Sequence, residues 1–262
     1  MPSLLCIAHR GAMGHAPENT LAAFRKALEL GAPAIELDVY AVDGELLVFH
    51  DDRLERTTNG RGRLQDQALS GLRALDAGEG ERIPTLAEVC ELIAGRSLLN
   101  IELKGAGTAA PVTAFLQALL AQPGCRWHKS QFLLSSFNHR ELQQAAMLDP
   151  ELALGALCYG LPLDDARFAS DLKAVTVNPG HDMLDRRFVE DAHARGLLVC
   201  AYTVNEVDEL ARMAALAVDG VFCNYPERVL NAFDQPDTRH GWRGLAGTDP
   251  QPDGRGLMLR YP

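Results

Sequence analysis

Ala34-Ile35-Glu36-Leu37-Asp38-Val39-Tyr40-Ala41-Val42-Asp43-Gly44-Glu45-Leu46-Leu47-Val48-Phe49-His50 sets two strand-like apolar runs around a turn. Side chains two apart in a strand share a face. Glu36 and Asp38 therefore point one way and Leu37 the other. Asp43-Gly44 reads as a hairpin turn, and Leu46–Phe49 as a return strand lying beside the strand before it. Further on, Asn100-Ile101-Glu102-Leu103-Lys104 repeats the arrangement, with Glu102 and Lys104 on one face and Leu103 on the other.

Outward from these runs the chain alternates short apolar, β-branched stretches with longer helical patterns. The predicted strands are Leu4–Ala8, Ala34–Val39, Leu98–Leu103, Phe132–Ser135, Leu152–Leu157, Ala174–Val177, Leu197–Thr203 and Gly220–Cys223. Predicted helices between them include Thr20–Leu30, Ala110–Gln122, His139–Leu148, Arg186–Arg195 and Val207–Leu216. Asn19 or Thr20 supplies the N-cap of the first helix, and Gly31 suits the positive φ just past its end. Such alternation means parallel strands with right-handed crossovers. Eight units in 262 residues suit a closed (β/α)₈ TIM barrel, which typically takes about 250; an open doubly wound sheet is the structural alternative. The predicted fold class is thus α/β, a single barrel over residues 1–233. Residues of about 52–84, rich in Gly, Arg and Asp and weakly helical around Gln67–Leu75, read as a small insertion on a βα loop. Residues 234–262 read as a C-terminal tail, with Leu257, Met258, Leu259 and Tyr261 as its anchors.

The formal net charge is −10, which argues against nucleic-acid or anionic-membrane partners, since phosphate backbones are held by surplus Lys and Arg. The six cysteines, Cys6, Cys90, Cys125, Cys158, Cys200 and Cys223, form no C-x-x-C pair. They read as reduced thiols, three of them inside strands. The start, MPSLLCIAHR, has no charged leader followed by a long apolar run, and no stretch approaches the roughly 18 apolar residues of a membrane span. The expected location is cytoplasmic, with no membrane and no nucleic-acid partner; a homo-oligomer is left open.

Three carboxylates, Glu36, Asp38 and Glu102, converge at one rim of such a barrel. Buried carboxylates repel one another and lose hydration, which is costly without a cation. Oxygen ligands suit one hard divalent metal, Mg²⁺ or Ca²⁺. His9 follows the first strand and His50 the return strand; histidine can take and give protons near neutral pH. Arg10 offers a planar donor fork for phosphate, and Lys104 a point charge.

Together these motifs resemble the glycerophosphodiester phosphodiesterase family. The resemblance rests on His9-Arg10-Gly11, Ala16-Pro17-Glu18-Asn19-Thr20, Glu36-Leu37-Asp38-Val39, Asp43-Gly44, His50-Asp51, Arg56-Thr57-Thr58-Asn59-Gly60, Ile83-Pro84-Thr85-Leu86, Asn100-Ile101-Glu102-Leu103-Lys104, Ser135-Ser136-Phe137 and Tyr202-Thr203-Val204-Asn205. It spans about residues 4–233 and is closest to short cytoplasmic bacterial members. It implies a small-molecule glycerophosphodiester substrate, cut to sn-glycerol 3-phosphate and an alcohol. It implies Glu36, Asp38 and Glu102 as metal ligands, His9 and His50 as the acid/base pair, and Arg10, Lys104, Phe137 and Tyr202 on the substrate. In the mechanism it implies, the neighbouring glycerol hydroxyl attacks phosphorus and water opens the resulting cyclic phosphate. Two departures stand out: Tyr202 where the family often has Trp, and Asn224 where it commonly has Asp. Neither is expected to touch the metal or the histidines. A lysophospholipase D acting on lipids, a catalytically silent phosphodiester-binding barrel and a phosphate-binding synthase barrel are the competing readings. The first requires an apolar entry or a membrane-binding element, and the sequence displays neither.

Overall fold

A computed structural model describes residues 2–247. Nine strands run in the order β1 (Leu5–Ala8), β2 (Ala34–Val42), β3 (Glu45–Val48), β4 (Leu98–Leu103), β5 (Phe132–Ser136), β6 (Ala153–Cys158), β7 (Thr176–Pro179), β8 (Leu198–Ala201) and β9 (Gly220–Cys223). The helices are α1 (Leu21–Glu29), α2 (Leu69–Leu72), α3 (Leu86–Ile93), α4 (Ala109–Leu120), α5 (His139–Leu148), α6 (Arg167–Asp171), α7 (Arg186–Ala194), α8 (Val207–Ala215), α9 (Pro226–Ala232) and α10 (Gly241–Leu245). All strands but β3 are parallel. β1 pairs with both β9 (Ile7 opposite Phe222) and β2 (Ile7 opposite Ala34), so eight strands close into a barrel and the open-sheet alternative falls.

β2 outruns its predicted end because the hairpin lengthens it. Tyr40 pairs with Leu47 and Val42 with Glu45, antiparallel. Asp43 (φ 49°) and Gly44 (φ 79°) turn the corner; two successive positive φ values belong to the turn whose twist suits a hairpin. At α1, Thr20 is the cap, its Oγ1 accepting from the Ala23 amide at 3.3 Å. Asn19 instead donates its side-chain amide to Asp38 Oδ2 at 2.9 Å.

Alternation along the strands divides the core into two layers. Outward-facing Ile35, Leu37, Val39, Ile101, Leu103, Leu134 and Val199 are buried against the helices. Inward-facing Leu5, Ile7, Ala34, Leu98, Leu133 and Phe222 fill the lower barrel. Trp242 joins that inner cluster with no exposed surface, its indole N–H donating to the Gln131 carbonyl at 3.1 Å. The first turn of the predicted tail therefore packs against the barrel floor. The anchors expected at Leu257, Met258, Leu259 and Tyr261 lie outside the described residues.

The insertion is less polar inside than its composition suggests. Leu54, Leu64, Leu72 and Ile83 pack with Tyr40, Leu47 and Phe49 of the hairpin in a satellite core. Only α2 and one 3₁₀ turn, Leu64–Asp66, are helical there, less than the predicted Gln67–Leu75. All six cysteines are free thiols.

Candidate active site

The strand pattern that buries Leu37 and Leu103 outward turns Glu36, Asp38 and Glu102 inward at the C-terminal rim. Carboxylate oxygens of the three lie within 4.8 Å of one another. Glu36 and Asp38 are almost wholly buried. Burial and the charges of Asp38 and Glu102 push the Glu36 carboxyl well above the usual range. Burial and Asp38 raise Glu102 to about 7, against the pull of Lys104. Asp38 Oδ1 is buried without a hydrogen-bond donor. An all-oxygen, mutually repelling, partly unpartnered set fits a hard divalent cation.

Two cations flank the triad. Lys104 Nζ lies 2.8 Å from Glu102 Oε1 and 3.7 Å from Asp38 Oδ1. Arg10 approaches Asp38 through Nε at 3.4 Å, and its backbone N–H donates to Glu36 Oε2 at 2.8 Å. Arg10 also donates to Glu18 Oε1 at 2.7 Å. Arg56, carried in by the insertion, donates to both oxygens of Glu18 at 2.7 Å and to Asp51 at 2.6 and 2.9 Å. Burial works to raise Glu18 and Asp51, but Arg56 together with Arg10 on Glu18, and Arg56 together with His50 on Asp51, outweigh it, and each carboxyl falls to about 2.

Each histidine has one ring nitrogen held. His9 Nδ1 lies 2.8 Å from Asn224 Oδ1 and His50 Nδ1 2.5 Å from Asp51 Oδ1. Because these oxygens accept, each Nδ1 carries the hydrogen and Nε2 is left for a ligand. Burial, helped by Arg10, lowers His9 to about 4 despite the Asn224 bond. Burial also lowers His50, against the charge of Asp38 and the Asp51 bond. Both rings are thus neutral at pH 7. Asn224 was expected to stand apart from the acid/base pair. The structure corrects this: the end of β9 adjoins the end of β1, which brings its amide onto His9.

His9, Arg10, Glu36, His50, Glu102, Phe137 and Tyr202 line one cavity of about 320 Å³ at the barrel mouth. Lys104 and Asp38 abut it through the contacts above. Asn100 and Ser135 lie deeper, and Tyr159 and Thr203 complete the wall. A second cavity of similar volume opens near Pro2, Leu198 and Asp219, away from these groups. Sequence reading did not place Glu18, Asn19, Asp51 or Arg56 at the site, although each sits in a quoted motif and Asn19 was considered as a helix cap. Tyr159 had no such signal. Exposed apolar side chains were also not foreseen. Tyr159, Leu163 and Met183 are 75%, 99% and 56% exposed on the loops after β6 and β7, because loop side chains follow no periodicity that reveals their direction. Among the described residues no helix is long and apolar enough to cross a membrane.

Known proteins resemble this chain in sequence and fold. The model of the glycerophosphoryl diester phosphodiesterase family matches residues 9–228. A glycerophosphodiester phosphodiesterase of Caldanaerobacter subterraneus is 36% identical over 236 residues, 87% of this chain and 96% of that protein. One of Bacillus subtilis is 32% identical over 247 residues, 86% of this chain and 84% of that protein. An Oleispira antarctica phosphodiesterase, solved in complex with the product sn-glycerol-3-phosphate, superposes with a TM-score of 0.79 at 34% identity, covering 87% of this chain and 95% of that one.

Proposed function

This chain belongs to the glycerophosphodiester phosphodiesterase family and is an enzyme of that class, and from that premise we propose that it is a metal-dependent hydrolase working by histidine acid/base catalysis on soluble glycerophosphodiesters. The observation that carries the reading is the juxtaposition of Glu36, Asp38 and Glu102 with Arg10, Lys104 and both histidines around one cavity.

Glu36, Asp38 and Glu102 would hold the divalent metal, Mg²⁺ or Ca²⁺, which would supply Lewis acidity and offset negative charge on the phosphate. Arg10 and Lys104 grip the non-bridging oxygens and so fix the phosphorus in the cavity. His9 and His50 divide the proton work. One takes the proton of the glycerol hydroxyl beside the phosphate at its free Nε2, and the other, once it has gained a proton from solvent at Nε2, gives that proton to the oxygen of the departing alcohol. Asn224 and Asp51 hold the two rings in the tautomer that exposes Nε2. Asp51 also stabilises a positive charge on His50 once a proton arrives. Glu18 and Arg56 brace Arg10 and Asp51 from behind. Phe137 and Tyr202 wall the organic part of the substrate.

A panel of glycerophosphodiesters, with and without divalent metal, tests the reading through release of glycerol 3-phosphate. Metal-dependent release is the expected result; none from any member of the panel overturns it. The exposed apolar side chains Leu163 and Met183 favour one rival, a lysophospholipase D. The net charge of −10 opposes it, since interfacial binding normally draws on basic residues. Glycerophosphocholine is expected to be cleaved with far higher kcat/KM than lysophosphatidylcholine held below its micelle concentration. Equal efficiency would promote the lipid reading.

A further inference from the structure

The mouth of the cavity has two unlike walls. The ion pairs of Arg10 and Lys104 occupy one. The other, beyond β5, β6 and β8, is aromatic. The Phe137 ring stacks on Tyr159 with centroids 4.1 Å apart and 12° between planes. It meets Tyr202 edge-on at 5.7 Å and 88°. Tyr202 is anchored, its hydroxyl donating to the Cys158 carbonyl at 2.8 Å. Tyr159 lines the same cavity yet remains three-quarters exposed. A ring stacked on one face and open on the other, at the rim, meets the part of a substrate that leaves the pocket.

The loops bearing this shelf are acidic. Residues 159–166 and 180–185 contain Asp164, Asp165, Asp182 and Asp185 and no Lys or Arg. Asp165 pairs with Arg187, and Asp185 caps α7. Asp182 has no cationic partner among the described residues. Around Gly180 it converges with the shelf: a Cβ there would lie 3.0 Å from Asp182 Oδ1, 3.7 Å from the Tyr159 carbonyl oxygen and 3.9 Å from the Tyr202 hydroxyl. The glycine keeps open a small space bounded by oxygens, one of them on a carboxylate.

Building on the phosphodiesterase reading above, we propose that Phe137 and Tyr159, with Asp182 beside them, form the head-group subsite and select diesters whose alcohol carries an ammonium group. An aromatic face attracts a cation through its quadrupole, most readily one already shedding water. The carboxylate adds charge attraction, and neither loop carries a Lys or Arg to oppose it. Anionic head groups meet repulsion, and neutral polyols gain nothing from the ring face.

The test compares kcat/KM for glycerophosphocholine and glycerophosphoglycerol, a cationic and a neutral head group, reading glycerol 3-phosphate from both. The wild-type enzyme is expected to prefer the choline diester about fivefold, the scale of one exposed cation–π contact. Tyr159→Phe keeps that ratio, Tyr159→Ala brings it close to 1, and Asp182→Asn lowers it part of the way. A wild-type ratio of 1 or less, or an unchanged ratio in Tyr159→Ala, overturns the subsite while the activity stands. Absence of glycerol 3-phosphate from both substrates is the separate result that overturns the activity reading, and the subsite with it.

Discussion

The two ends of the barrel are built on opposite principles. At the floor, Leu5, Leu98, Leu133 and Trp242 fill the interior with apolar volume. At the mouth, the same strands turn Glu36, Asp38 and Glu102 into a shared space where Asp38 Oδ1 and Arg10 Nε lack hydrogen-bond partners. Two histidines show the contrast in a single residue type. His193, near the floor, faces Asp219 at 2.8 Å, and that bond raises its pKa above the ordinary value. His9, at the mouth, is lowered to about 4 by burial despite its bond to the Asn224 amide. The bond to Asp219 keeps the floor histidine paired, whereas at the mouth Asp38 Oδ1 and Arg10 Nε are buried without partners.

The contrast breaks most visibly under metal removal. EDTA is expected to abolish hydrolysis, and Mg²⁺ or Ca²⁺ to restore it. Full activity in metal-stripped enzyme would mean that the carboxylate triad serves only structure. Trp242→Ala probes the other end. Truncating a fully buried aromatic costs about 3–5 kcal/mol, so the denaturant midpoint should drop sharply. Below the new melting range kcat should stay near wild type. A variant of unchanged stability would remove the floor from the account.

His9→Ala and His50→Ala reverse that pattern. Each is expected to lose at least about 10²-fold in kcat, the usual scale of general acid–base catalysis, with thermal unfolding little changed. A near-normal kcat in either variant removes that residue from the mechanism. Asn224→Asp makes the mouth resemble the floor. A carboxylate beside Nδ1 stabilises the imidazolium, so the His9 pKa rises, and the acid limb of the kcat/KM profile should move to higher pH. An unmoved limb would disconnect His9 from that limb.

The smallest effect belongs to His193→Gln. The folded-state pKa of His193 is raised, so its contribution to stability is present below the unfolded value of about 6.5 and fades as pH rises through the folded one. The pair is partly exposed, and solvent screening limits it to a few tenths of a kcal/mol. Urea midpoints of the two proteins should differ near pH 5 and merge by about pH 9. A gap that widens with pH would contradict the assigned sign.

How much of this was legible in the chain follows from the range of each interaction. Strand periodicity determined which way Glu36, Asp38, Glu102 and Lys104 point, because alternation is a local property of extended backbone. The Asp43-Gly44 turn was equally local, since few residues tolerate two successive positive φ values. With eight β-α units in order, the sequence by itself determined a parallel α/β fold and the strand ends that carry these side chains. The pairing of β1 with both β9 and β2 decided for the closed barrel over the open sheet. Only the tertiary structure decided that Asn224, 215 residues from His9, holds its ring, and that β1 must pair with β9 to bring it there. It decided too that Arg56 crosses from the insertion to Glu18, that Trp242 closes the floor, and that Tyr159 stacks open-faced at the rim. These contacts join segments far apart in the chain, through loops whose side chains obey no period, and barrel closure alone brings them within reach.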